Sequence, residues 1–228
     1  MDPINTIIHY IHNFAKIYPI LLPISSYFYS MLAGKSIGLV LAVFCILTDL
    51  LNVFVFKKVN GILYQHFYPN GLNGCASQLL RPLVDHPERN NCSIFNNCLS
   101  NNTLSEYFCN NGSQLIPVKI GMPSGHSQVT TTMTLLFILM LAKNINVTSV
   151  ISMCVLVGTA IWVLYSRILI GCHNTNQVIV GSLIGYILGI IGYYILKYYY
   201  PEELVDVSWE LYLPLIAYAI LIIFINLG

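Results

Sequence analysis

The sequence predicts an all-α fold, a polytopic membrane helix bundle with about six transmembrane helices and one long extracytoplasmic loop. Three observations carry that prediction. Hydrophobic residues make up 56% of the 228 and charged residues only 8%, a balance far from that of soluble globular proteins. Mean hydropathy is +0.70. The apolar residues gather in runs close to the ~20 residues that a helix needs to cross a hydrocarbon core, and they leave a single long polar stretch, 58–122.

Taken in order, the first run, 13–33, is interrupted by Lys16, Pro19 and Pro23, so it reads as a kinked or interfacial helix as readily as a span. The runs 37–57, 125–143, 146–166, 174–198 and 209–227 are cleaner. Stretch 58–122, rich in Asn, Gly and Pro, reads as a loop with a short interfacial helix near 75–83. No internal repeat and no cleavable signal peptide is evident. The chain therefore reads as one domain over 1–228.

Orientation follows from the lysines. Lys35, Lys143 and Lys197 fall in short connections that alternate with the long loop, and the positive-inside rule puts them in the cytoplasm. The loop and both termini then face the lumenal side of the endoplasmic reticulum or another endomembrane. Three acceptor sequons in the loop agree with that side and predict a glycoprotein: Asn91-Cys92-Ser93, Asn101-Asn102-Thr103 and Asn111-Gly112-Ser113. Asn146-Val147-Thr148 falls on the cytoplasmic side and is expected to stay unmodified. Four of the seven cysteines, Cys75, Cys92, Cys98 and Cys109, lie in the loop, where an oxidising compartment lets them pair in any of three ways. Cys45 and Cys154 read as buried small hydrophobes, and Cys172 as a small packing residue. Ten Lys and Arg against nine Asp and Glu provide no basic field for nucleic acid.

Against this apolar background a few polar clusters stand out, and ionisable groups at the mouth of a membrane bundle are functional by default. Pro123-Ser124-Gly125-His126 opens an apolar run. Proline and serine suit a helix start, and glycine lets the unpaired amides approach a phosphate oxygen. His126 can exchange a proton near neutral pH. Thr130, Thr131, Thr132 and Thr134 line or pack the bundle below it. Ser166-Arg167 ends one run, and His173 with Gln177 opens the next on the same side. Arg167 offers a planar fork of donors. His173 and Gln177, four residues apart, share a helix face, so the glutamine carbonyl can accept Nδ1–H and leave Nε2 free as a nucleophile. Asn174 and Asn176 read as capping or solvated groups. Arg81-Pro82 in the loop joins them from the same side of the membrane. The remaining histidines, His9, His12, His66 and His86, have no ligand-like spacing, so neither a metal nor a cofactor is expected.

Together Arg81-Pro82, Pro123-Ser124-Gly125-His126 and Ser166-Arg167 with His173 resemble the three-part signature of the type 2 phosphatidic acid phosphatase superfamily. The likeness covers roughly 49–190. It implies metal-independent hydrolysis of a phosphomonoester or diphosphate through a phosphohistidine. His173 would attack phosphorus, and His126 would protonate the leaving oxygen. Arg81, Arg167, Ser124, Gly125 and a lysine would hold the phosphoryl oxygens.

The chain departs from that pattern twice. The signature lysine seven positions before the arginine is here Gly74. Asp49-Leu50-Leu51-Asn52 running into Lys57 is similar to the stretch before this lysine in glucose-6-phosphatases, which favours Lys57, with Lys58 and Lys119 as alternatives. Gln177 stands where most of the superfamily has aspartate, and glucose-6-phosphatases resemble the chain there too. The expected partner is a phospholipid or isoprenoid phosphate substrate in the membrane. A glucose-6-phosphatase-like sugar phosphatase is the alternative, as is a catalytically weak relative that binds lipid or a partner protein. A transporter leaves the signature unexplained.

Overall fold

A computed structural model of the protein describes residues 3–67, 72–73, 107–111, 114–118 and 120–201. The expected span 209–227 and the helix expected near 75–83 lie outside these residues. The described part is a helix bundle with a small sheet. Its helices are α1 (Pro3–Ala33), α2 (Ser36–Leu51), α3 (Lys57–Phe67), α4 (Gly125–Leu141), α5 (Val147–Leu169) and α6 (Thr175–Tyr199). Among the described residues three helices are long and apolar enough to cross a membrane: the continuous Ser36–Phe67, Val147–Leu169 and Thr175–Tyr199. This is an integral membrane protein.

α1 runs as one helix through both Pro19 and Pro23. It is a full member of the bundle, because Tyr18, Leu21, Leu22 and Tyr29 are buried in the same core as Leu41, Met133 and Phe137. Gly34, at φ 65°, takes the left-handed conformation that ends the helix and turns the chain. α2 then returns against α1 so closely that a Cβ on Gly38 would collide with the carbonyl of Ser26 and lie 2.7 Å from the amide of Ser30.

The helix that starts at Ser36 does not stop at 57, where the sequence suggests a loop. A π-helical turn, Asn52–Phe56, joins α2 to α3, and helix continues to Phe67. The apolar run ends there, but the helical hydrogen bonding does not. Beyond it, strands β1 (Leu72–Asn73), β2 (Tyr107–Asn111) and β3 (Gln114–Val118) form a sheet in that order, β1 parallel and β3 antiparallel to β2. The expectation of a loop over 58–122 is thus corrected for 58–67, which are helical, and for the short strands.

α4 and α6 are the centre of the bundle. Gly181, Gly185 and Gly189 recur every fourth residue along α6, and a Cβ on each would run into the backbone of Ser124, Gln128 and Thr132 on α4. The equal steps show that the helices run in the same direction in close register. Between helices in lipid, such small residues let backbones approach and supply the dispersion contact that hydrophobicity does not. Ile179, Leu183, Ile187, Ile191 and Ile195 form an exposed apolar stripe on α6, displaced from the glycines by two residues, about 200° around the helix. Glycine faces protein and isoleucine faces lipid. Cys45 is buried as expected, but Cys154 is exposed, because it lies on the outward side of α5.

Candidate active site

Two of the polar clusters singled out in the sequence, the Ser124–His126 turn and the Arg167–Gln177 connection, meet at one end of the bundle. Ser124 caps α4, its Oγ accepting from the Ser127 amide at 3.4 Å and from the Ser127 hydroxyl at 2.9 Å. This leaves Gly125 and His126 in the first helical turn, both half-buried, where backbone amides and the positive end of the helix dipole favour an anion.

The α5–α6 connection is wound around one carbonyl. The backbone oxygen of Arg167 accepts from the amides of both Cys172 and His173 at 3.1 Å, and Gly171 at φ 67° lets the chain double back. Arg167 and His173 are thereby locked side by side. Arg167 is fully buried, its Nε donating to Ser166 Oγ at 3.3 Å, while that hydroxyl donates to the Val163 carbonyl at 2.7 Å. A guanidinium in such a place is expensive unless it serves a charge.

Asn174 caps α6 in a reciprocal capping box with Gln177: Asn174 Oδ1 accepts from the Gln177 amide at 2.9 Å, and Gln177 Oε1 accepts from the Asn174 amide at 3.4 Å. The same Oε1 lies 3.0 Å from His173 Nδ1. A carboxamide oxygen only accepts, so this contact places the proton on Nδ1 and the lone pair on Nε2. The two halves of the site are also joined directly, since the Ser124 amide donates to the Gln177 carbonyl at 3.1 Å. A Cβ on Gly121 would fall 2.5 Å from Gln177 Oε1.

A third wall comes from α2 and α3, and only Lys57 of it was read from the sequence as a site residue. Asn52, fully buried, donates through Nδ2 to Gln128 Oε1 at 2.8 Å, and Gln128 Nε2 donates to the Thr48 carbonyl at 3.0 Å. Asn52 Oδ1 lies 3.2 Å from where a Gly125 Cβ would stand, and Asp49 Oδ1 3.6 Å from it. Asn60 Nδ2 donates to the Met122 carbonyl at 3.2 Å, tying α3 to the loop that enters α4. The signal for this wall was the spacing of Thr48, Asn52, Phe56 and Asn60, one helical face that continues past the apolar run. Lys57 is half-buried and within electrostatic reach of Asp49, while Lys58 is exposed. Arg81 and Lys119 lie outside the described residues.

Cys172 corrects its sequence reading. It is disulfide-bonded, neither a reactive thiol nor a bare packing residue. Cys45 and Cys154 are free. His66 is exposed at the far end of α3, away from these groups.

Comparison with curated proteins and with solved structures gives no significant match. The family model of the PAP2 superfamily matches residues 62–201. That stretch includes the Ser124–His126 turn, Arg167, His173 and Gln177, and begins after Lys57. It covers more than half of the chain, and the chain belongs to the PAP2 superfamily, whose members are phosphatases acting on phosphate esters.

Proposed function

We propose that this protein is a metal-independent membrane phosphatase that hydrolyses a lipid phosphate or polyisoprenyl diphosphate at the lumenal face through a phosphohistidine. The observation that carries the reading is the 3.0 Å contact between His173 Nδ1 and Gln177 Oε1. It presents Nε2 as a nucleophile beside the buried Arg167 and opposite the capped turn of Ser124, Gly125 and His126.

In the first step Nε2 attacks phosphorus as the bond to the leaving oxygen breaks, and His126 gives that oxygen its proton. In the second, water attacks phosphorus, the electron pair of the P–N bond returns to Nε2, and a water proton goes to His126. Arg167, Arg81 and Lys57 balance the charge on the phosphoryl oxygens, with the Ser124 hydroxyl and the amides near Gly125 completing the cradle. Apolar helix faces around the site suit a substrate whose tail stays in the bilayer. The disulfide at Cys172, next to the nucleophile, supports an oxidising compartment on this face.

A second reading, a sugar phosphatase, is favoured by Gln177 standing where aspartate is usual. Phosphate release by detergent-purified protein and by His173→Ala, with EDTA present, separates these readings on phosphatidic acid, an isoprenyl diphosphate and glucose 6-phosphate. Release that survives EDTA and is lost in the variant is the expected result. Full activity of His173→Ala overturns the mechanism, and silence of folded wild-type protein on all three leaves a binding relative.

A further inference from the structure

A chain of hydrogen bonds fixes which way the buried Asn52 carboxamide points. The chain ends on a backbone carbonyl, that of Thr48, which can only accept, so Gln128 must present its amino group there and its oxygen to Asn52. Asn52 must then donate to Gln128, which it does at 2.8 Å. Its own oxygen is left facing Gly125, 3.2 Å from the Cβ position of that glycine. Both side chains are fully buried, so neither amide can turn over without breaking the chain. Asn52 Oδ1 itself has no hydrogen-bond partner among the described residues. A buried acceptor without a donor is costly, and this one stands at the first turn of α4, against the residues proposed to hold the phosphoryl group. A π-helical turn begins at Asn52, a local irregularity often found where a helix aims a functional side chain.

An acceptor placed there suits an O–H donor that arrives with the reaction. The ester or anhydride oxygen that occupies the leaving position when His173 attacks has no hydrogen to give. Water does. In an in-line displacement the water of the second step enters where the leaving oxygen departed, beside His126 and hence beside Gly125.

Resting on the phosphohistidine reading above, we propose that Asn52 Oδ1 holds the hydrolytic water for attack on phosphohistidine 173. The P–O bond forms as the P–Nε2 bond breaks, with its electron pair returning to Nε2. One water proton passes to His126, and the other stays on the product oxygen in the hydrogen bond to Asn52.

The two steps separate in a single-turnover experiment on full-length protein in detergent. Radiolabelled phosphatidic acid, isoprenyl diphosphate and glucose 6-phosphate serve in turn as phosphoryl donors, and samples are quenched in alkali, where phosphohistidine survives. Asn52→Ala is expected to become labelled as fast as wild type but to lose its label about tenfold more slowly, the effect of one hydrogen bond. Asn52→Ser, which is too short to reach Gly125 and can bond to its own helix, is judged by the same criterion if the alanine variant does not fold. A label that decays at the wild-type rate in a folded variant, or labelling and decay slowed alike, overturns the role for Asn52 alone. Failure of wild type to form an alkali-stable, acid-labile phosphoenzyme overturns the phosphohistidine reading and this inference with it.

Discussion

Gln177 performs two tasks with one oxygen. Its Oε1 accepts from His173 Nδ1 at 3.0 Å and from the Asn174 amide at 3.4 Å, so the residue that closes the capping box also selects the imidazole tautomer. Removing it therefore has two separable consequences. Gln177→Ala is expected to lower kcat by on the order of 10²- to 10⁴-fold, because Nε2 is no longer kept unprotonated. It also costs about 1 kcal/mol of stability through the lost cap. Gln177→Asp keeps an acceptor toward Nδ1 and adds a full charge, and is expected to retain or raise turnover. Phosphate release and thermal unfolding measured side by side distinguish the two effects. An alanine variant that loses stability but keeps its kcat removes Gln177 from the chemistry. The His173–Gln177 pairing was legible because it depends only on helical spacing. Asn52 stands out in the sequence only as part of a likeness, since its meaning depends on Gln128, 76 residues away, and no local pattern joins the two.

The glycine steps of α6 give the bundle its registration, and through it the site. Gly181 lies against Ser124, whose amide also bonds the Gln177 carbonyl, so the close approach of α4 and α6 sets the distance between the two halves of the proposed phosphate cradle. Gly185, one turn below, admits no side chain without displacing the Gln128 carbonyl, whereas Gly158 on α5 has open space around it. The pair makes a controlled test of packing. Gly185→Ala is expected to destabilise the protein by about 1–3 kcal/mol through overpacking, seen as a lower unfolding temperature in detergent. Gly158→Ala is expected to be neutral within about 1 kcal/mol. Equal melting of the two variants would show that α4 and α6 are not held at this separation. The existence and direction of these helices could be read from hydropathy. The π turn and the helix beyond it could not, because helical hydrogen bonding continued where the apolar signal had ended.

Among the described residues the junctions between helices sort into two faces. Asn52, Gly125, Arg167 and His173 share one, and the α4–α5 connection, where Asn146 caps α5 by accepting from the Ser149 amide at 2.8 Å, lies at the other. α2 covers about 24 Å between Ser36 and Asn52, most of a ~30 Å hydrocarbon core. These groups therefore sit at the end of α2 opposite Lys35. Lysine position is a one-dimensional signal, so the sequence alone yields an expectation of sidedness. The tether at Cys172 was not legible, because disulfide pairing is a property of three-dimensional proximity. The proposed orientation, with Lys35, Lys143 and Lys197 cytoplasmic, predicts glycans at the Asn91, Asn101 and Asn111 sequons and none at Asn146. Expression in a glycosylating cell should yield protein whose mobility shifts on treatment with an N-glycan-removing enzyme, and replacing Asn91, Asn101 and Asn111 together by Gln should abolish the shift. Asn146→Gln should leave it intact while lowering stability by about 1 kcal/mol, as the loss of a helix cap does. A glycan carried by Asn146 instead would invert the molecule, place the site in the cytoplasm and remove the oxidising environment that the Cys172 disulfide needs.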